Sequence, residues 1–126
     1  MALPFTDVVA VFTPGAVGVV TTRTSPAHDV SKREQILLVF SASEIASGNG
    51  VFTVDGSLDN SFWVTGLAFV NTQALTTAGT VGVLSVTLSS TNATYGARVR
   101  PGWHYIRVKV AVTTDGRYKA TLGTAG

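Results

Sequence analysis

The segment HYIRVKVAVT, residues 104–113, decides the fold class. Every second residue in it is apolar, and the set is Ile106, Val108, Val110 and Val112. Successive side chains of a strand point to opposite faces, so this period of two predicts a half-buried antiparallel strand. One face then packs into a core. The other face, which carries Arg107 and Lys109, contacts solvent or a partner.

Similar strand patterns recur on both sides of this segment, separated by turn residues about ten positions apart, which is typical of a sandwich or barrel. The apolar run Ile36–Phe40 suits a central strand covered on both faces. The predicted strands are Val8–Thr13, Ala16–Thr21, Gln35–Ala42, Val51–Val54, Phe62–Val70, Thr80–Leu88, Tyr95–Val99, His104–Thr113 and Arg117–Leu122.

The turn TTDG, residues 113–116, leads from the deciding segment into Arg117–Leu122, and this arrangement predicts a hairpin. The sequence SKRE, residues 31–34, has the form of a helix capping box, although the strand pattern begins directly after it. Thr24–Val30 is predicted to be an exposed loop. We expect residues 123–126 to be a loose C-terminus.

The composition supports the same fold class. The chain has 126 residues, no cysteine and 13% charged residues, and its 19 Val and 18 Thr favour strands. It excludes a helical bundle, a disulfide scaffold and a zinc–thiolate protein. The length predicts one domain, residues 1–126, with residues 1–6 as an N-terminal arm. We expect no signal peptide and no membrane-spanning segment, because no long apolar run is present.

The charges are distributed unevenly along the chain. Residues 1–94 contain three basic and six acidic residues, whereas residues 95–126 contain six basic residues and one acidic residue. If the predicted hairpin forms, Arg107, Lys109, Arg117 and Lys119 make a basic stripe on one sheet. Such a stripe suits docking on an acidic protein surface or, less readily, on nucleic acid. The alternative is a solvated face whose charges prevent edge-to-edge aggregation.

No motif predicts catalysis. The two histidines, His28 and His104, lack the accompanying nucleophile and oxyanion motifs of a hydrolytic triad. We therefore expect a non-enzymatic protein with no catalytic residue and no cofactor.

Two weak binding patterns remain open. Asp55, Ser57 and Asp59 alternate like the first ligands of a calcium loop, but the later glycine and glutamate are missing, so a plain turn is favoured over a metal site. Trp103 and Tyr105 could form a platform on which a sugar stacks. Trp63, by contrast, is expected to lie in the core.

Two stretches resemble the structural β-domains of tailed phages. One is GVFTVDGSLDNSFW, residues 50–63, where a strand leads to a Gly-Ser-Leu-Asp-Gly turn in those domains and a tryptophan follows. The other is PGWHYIRVKV, residues 101–110, followed by TTDG and by ATL at residues 120–122. The chain departs from the pattern at Asn60, where glycine is usual, and in the Thr/Ala/Gly-rich stretch 72–82.

The resemblance implies a virion component, most readily a capsid decoration (cement) protein, and carries over no catalytic residue. It implies a single antiparallel β-sandwich, jelly-roll-like, with about eight to nine strands. The expected partners are the major capsid protein or other virion proteins and further copies of the chain, a trimer being favoured. Met1–Phe5 and Thr24–Val30 are candidate arms. The alternative function is a glycan-binding or tail/fibre module used for surface attachment.

Overall fold

The computed structural model describes residues 7–12, 21–71, 85–90, 92–113 and 116–125, and the ordered elements among them are all strands. Nine have three or more residues, and β3 and β6 are two-residue pairings. The strands are β1 (Asp7–Phe12), β2 (Thr21–Thr24), β3 (His28–Asp29), β4 (Gln35–Ser43), β5 (Asn49–Ser57), β6 (Trp63–Val64), β7 (Phe69–Asn71), β8 (Val86–Leu88), β9 (Thr94–Val99), β10 (Tyr105–Thr113) and β11 (Arg117–Ala125).

The strands form two antiparallel sheets. Sheet I has the order β1-β11-β4-β9-β7, and sheet II has the order β2-β10-β5-β6, with β3 added beside β10 and β8 beside β5. The long strands β4, β5, β9, β10 and β11 alternate between the sheets, and β1 pairs with β11. This is the strand order of a jelly roll. The predicted fold class is therefore confirmed.

The core lies between the sheets and follows the predicted alternation. All four apolar residues of the deciding segment are buried, as are Ile36, Leu38 and Phe40 on β4. The Phe40 and Phe52 rings stack across the sandwich with centroids 4.5 Å apart. Burying one side chain of this size contributes about 1.5–3 kcal/mol, so these two rows supply much of the force that holds the sheets together.

The prediction of a hairpin between β10 and β11 is wrong. β10 pairs with β2, β3 and β5 in sheet II, whereas β11 pairs with β1 and β4 in sheet I. A period of two shows which face of a strand is buried but not which strand lies beside it. A chain that crosses from one sheet to the other satisfies the same pattern.

The segment from Thr24 to Val30 is not the exposed loop or arm that was predicted. Ser25 donates its backbone N–H to the Val108 carbonyl (2.8 Å), and its Oγ accepts from the Val108 N–H (2.9 Å). The Val30 N–H donates to the His104 carbonyl (2.8 Å). The segment therefore runs along the edge of β10, with the Ser25 hydroxyl replacing one backbone acceptor.

Three further predictions have definite outcomes. Residues 31–32 form a turn rather than a helix, with Lys32 at φ 62°. Residues 123–125 are not loose, since they pair with residues 35–37 in sheet I. Ile36–Phe40 is central but covered on one face only, because Val39 is 42% exposed. The arm at residues 1–5, most of the strand Ala16–Thr21 and the stretch 72–82 lie outside the described residues.

Candidate interaction surfaces

A buried carboxylate organises the outer face of sheet II. Asp55 on β5 lies directly opposite Arg107 on β10 and is 1% exposed. Its Oδ2 accepts a hydrogen bond from Arg107 Nε at 3.0 Å and lies 3.8 Å from Lys109 Nζ. Its Oδ1 accepts from the Gly66 N–H at 3.2 Å. The two cations thus share one anion, which offsets half of their charge.

Trp63 completes this cluster from outside the core. The guanidinium carbon of Arg107 lies 4.2 Å from the centroid of the Trp63 ring, a cation–π contact. Trp63 pairs with Ser57 at the edge of sheet II and is half-buried. The prediction that Trp63 lies in the core is therefore wrong, because its ring covers the Arg107 side chain.

The single basic stripe that was predicted does not form. Arg107 and Lys109 lie on the outer face of sheet II, whereas Arg117 and Lys119 lie on the outer face of sheet I. Arg117 forms an exposed ion pair with Glu44. Lys119 is exposed beside Ser41, at the edge of a shallow groove. The groove is lined by Ser41, Ala42, Ser43, Asn92, Ala93, Thr94, Arg117 and Lys119.

Asp55, Ser57 and Asp59, the weak candidates for a metal site, are committed to other partners. Asp55 binds Arg107, as described above. Ser57 Oγ accepts from the Asn60 N–H (2.9 Å), and Asp59 Oδ1 accepts from the N–H groups of Ser61 and Phe62 (2.9 Å each). These two backbone donors lower the pKa of Asp59. The oxygens of Ser57 and Asp59 therefore build a turn, the interpretation that was favoured over a cation loop.

The same turn presents an apolar surface that sequence reasoning missed. Phe62 is 82% exposed, Leu58 61% and Val64 53%, and all three lie within seven residues. The only sequence signal was apolar residues flanking an acidic turn. That signal was read as part of a strand, because Phe62, Trp63 and Val64 together have strand character.

The proposed sugar platform is divided between two sides of sheet II. Trp103 packs towards the core, where a Cβ added to Gly56 would lie 2.6 Å from its ring. Tyr105 alternates with the buried Ile106 and so faces outward. The two rings therefore do not form one surface. Trp103 instead borders a cleft lined by Lys32, Arg33, Glu34, Pro101, Gly102, Trp103 and His104.

The histidines occupy different surroundings. His28 Nε2 is buried and has no hydrogen-bond partner among the described residues, and burial lowers the pKa of His28. His104 is exposed, and its backbone N–H donates to the Ser57 carbonyl. Nearby Asp29 accepts from the N–H and the hydroxyl of Ser31 through one oxygen, and these bonds lower the pKa of Asp29. Within the described residues, no group of three potential metal ligands occurs among His, Asp and Glu.

The outer face of sheet I has an apolar centre. Leu37 and Val39 on β4 face outward, and their partners on β11 are Gly123 and Thr121, respectively. The opposite neighbours on β9 are Arg98 beside Leu37 and Gly96 beside Val39. Gly96 therefore leaves the β9 side of Val39 without a neighbouring side chain, and Gly123 does the same on the β11 side of Leu37.

No family model matches the chain, and no curated protein matches it. A solved structure described as the crystal structure of SPBc2 prophage-derived protein YomS is similar, with a TM-score of 0.55 and 16% sequence identity. The match covers 98% of this chain and 96% of that chain. The two proteins therefore share a fold over nearly their whole lengths. No helix in the described part of this chain is long and apolar enough to cross a membrane.

Proposed function

We propose that this chain is a non-enzymatic structural protein of a tailed-phage particle, most readily a capsid decoration protein that stabilises the head. The observation that carries the proposal is the whole-length fold match to a protein described as prophage-derived. The resemblance of residues 50–63 and 101–110 to tailed-phage β-domains is independent support. The proposed location is the virion, assembled in the host cytoplasm.

The physical character of the surface fits this role. A decoration protein stabilises a lattice by adhesion, so it needs a rigid fold and exposed contact surfaces rather than a reactive site. The jelly roll supplies the rigid fold, and capsid proteins use it widely. Phe62 and Leu58 supply exposed apolar contact area. Lys119 and its groove supply positive charge towards an acidic neighbour.

The proposed partners are the major capsid protein and further copies of this chain. A trimer is favoured, because closed rings with three-fold symmetry match the local symmetry of a capsid. Tail or fibre attachment is the alternative location. Neither nucleic acid nor a membrane is a proposed partner.

The test is reconstitution on particles of the source phage assembled without this chain. We expect the purified protein to bind expanded heads at a fixed stoichiometry and to raise the temperature at which they fall apart. Binding to isolated tails but not to heads would show that the protein belongs to the tail. Failure to bind either heads or tails would overturn the proposal.

A glycan-binding role is the second candidate, and the cleft beside Trp103 is the observation that favours it. The cleft combines the Trp103 ring, an apolar surface on which a sugar ring can stack, with the polar side chains of Lys32, Glu34 and His104, which can form hydrogen bonds to sugar hydroxyls. A glycan array should then show binding that His104→Ala removes. His104→Ala is preferable to Trp103→Ala, since Trp103 also packs on Gly56. A clean negative array would exclude this role.

A further inference from the structure

Two exposed apolar surfaces lie on different sheets of the sandwich. The loop patch consists of Leu58, Phe62 and Val64, at the connection between β5 and β6 of sheet II. The sheet I patch consists of Leu37, Val39, Gly96, Thr121 and Gly123. Together they hold all four of the large apolar side chains that are classed as exposed among the described residues.

The loop patch is held rigidly. Ser57 Oγ and Asp59 Oδ1 accept hydrogen bonds from the backbone of residues 60–62, and Asn60 adopts φ 63° to close the turn. Phe62 therefore projects from a fixed backbone. A side chain whose backbone is already ordered loses little entropy on binding, so it makes an efficient anchor. Asp59, at the centre of this turn, gives the loop patch a negative charge.

The sheet I patch has the opposite character. Val39 has no neighbouring side chain on the β9 side, where Gly96 lies, and Arg98 lies beside Leu37 with its side chain exposed. Among the described side chains, no carboxylate forms an ion pair with Arg98. The patch therefore combines an apolar centre with a positive edge.

The charges of Asp59 and Arg98 favour some contacts between the two patches over others. A contact between two sheet I patches would place two like charges, the Arg98 residues, in one interface, and a contact between two loop patches would do the same with Asp59. Like charges across an interface oppose association, whereas opposite charges steer it. The combination of one loop patch with one sheet I patch avoids both repulsions.

We propose that the loop patch of one copy packs on the sheet I patch of a second copy, with Phe62 against Val39 and Asp59 facing Arg98. The two surfaces belong to different sheets, so the contact is head-to-tail and each copy offers both halves. Such a contact closes into a ring when the rotation between copies permits. The contact does not depend on particle attachment, and either can exist without the other.

Cysteine trapping tests the contact directly, since the chain contains no cysteine. One variant carries Ser61→Cys in the loop, and a second carries Thr121→Cys beside Val39. A disulfide requires Cα atoms within about 4.4–6.8 Å, so it reports close approach. We expect a covalent dimer when the two variants are mixed under oxidation, and none from either variant alone. Thr87→Cys, exposed on β8, is the control partner and should give no dimer with Ser61→Cys.

The oligomeric mass gives a second, independent readout. Phe62→Ser and Arg98→Glu should each weaken association measured by light scattering, with a loss of about 30-fold for Phe62→Ser if it is an anchor residue. Far-UV circular dichroism checks that both variants keep the fold. A monomeric wild-type mass from micromolar to millimolar concentration would overturn the proposal. A disulfide-linked dimer formed by Ser61→Cys alone or by Thr121→Cys alone would also overturn the proposal, because it would show a symmetric contact.

Discussion

The Asp55 carboxylate is the residue on which the outer face of sheet II depends. It is 1% exposed and holds Arg107, Lys109 and the Gly66 N–H. Asp55→Asn removes the anion while leaving the two cations close together. We expect it to lower the free energy of unfolding by about 1.5–3 kcal/mol, the range for hydrogen bonds to charged groups, as measured by urea denaturation.

Glu44→Gln is the matched control for this experiment. It breaks a second carboxylate–arginine pair, that of Glu44 with Arg117, in which the side chains are 54% and 48% exposed. An exposed pair of this kind contributes about 0–1 kcal/mol, because solvent screens it and both side chains lose freedom. Equal losses from Asp55→Asn and Glu44→Gln would show that burial does not strengthen the Asp55 cluster.

We expect His28 to make the stability depend on pH. Burial lowers the pKa of His28 from its ordinary value of 6.5, so the unfolded chain binds the proton more readily than the folded chain. Stability attributable to this residue is therefore present at neutral pH and declines as the pH falls through 6.5 towards the lowered folded-state pKa. We expect His28→Gln to remove this slope in denaturation measured from pH 7.5 to pH 5. The same slope persisting in His28→Gln but lost in His104→Gln would assign it to the other histidine.

At the scale of the elements, aromatic rings pack directly on the backbone of β5 at Gly50 and Gly56. A Cβ added to Gly50 would lie 2.5 Å from the ring of Tyr118, which is 2% exposed. Gly50→Ala should therefore destabilise the fold by about 1–3 kcal/mol, the usual cost of overpacking, in urea denaturation. Thr53→Ala, on the outer face of the same strand, should change stability by less than about 0.5 kcal/mol. A neutral Gly50→Ala would mean that the Tyr118 ring has room to shift.

Strand identity was predictable at this scale, but strand pairing was not. The alternation in residues 104–113 predicted β10 and its buried face correctly, and strands were also predicted at the positions of β4, β9 and β11, although β4 was expected to be covered on both faces. The pairing of β10 with β5 rather than β11 depends on contacts between residues 48 to 64 positions apart. The local pattern contains no information about such contacts, because a buried face is compatible with any neighbouring strand.

The candidate surfaces were less predictable, for a similar reason. Trp63 was expected in the core from its apolar neighbours, yet Arg107, which is 44 positions later in the chain, stacks on it at the surface. Asp55 gave no sign of being an ion-pair centre until β5 and β10 were placed side by side. The role of Asp59 as a turn residue could be predicted, since its partners lie within three positions.

At the scale of the whole molecule, the jelly roll redistributes the basic charge of the C-terminal quarter. Alternation between the sheets places the cations of β10 on one outer face and those of β11 on the other. Asp55 offsets one of the two positive charges of β10, and Glu44 offsets the charge of Arg117. Lys119 has no ion-pair partner among the described side chains. The positive charge is therefore divided between the two outer faces, and Lys119 carries the part that lies on sheet I.

Two kinds of cation can therefore be tested separately: Arg107, which stabilises the fold, and Lys119, which is exposed and can contact a phage particle. Arg107→Glu would place a carboxylate directly against Asp55, so it should destabilise the fold rather than report on binding. Lys119→Glu should leave the urea midpoint unchanged and weaken binding to heads that lack this chain by about fivefold, the effect of one exposed charge pair. Lys32→Glu, the same change in the β3–β4 turn, is the control for net charge. Equal weakening by Lys119→Glu and Lys32→Glu would show that only the net charge of the protein matters. If neither variant weakens binding, Lys119 is not part of the binding surface.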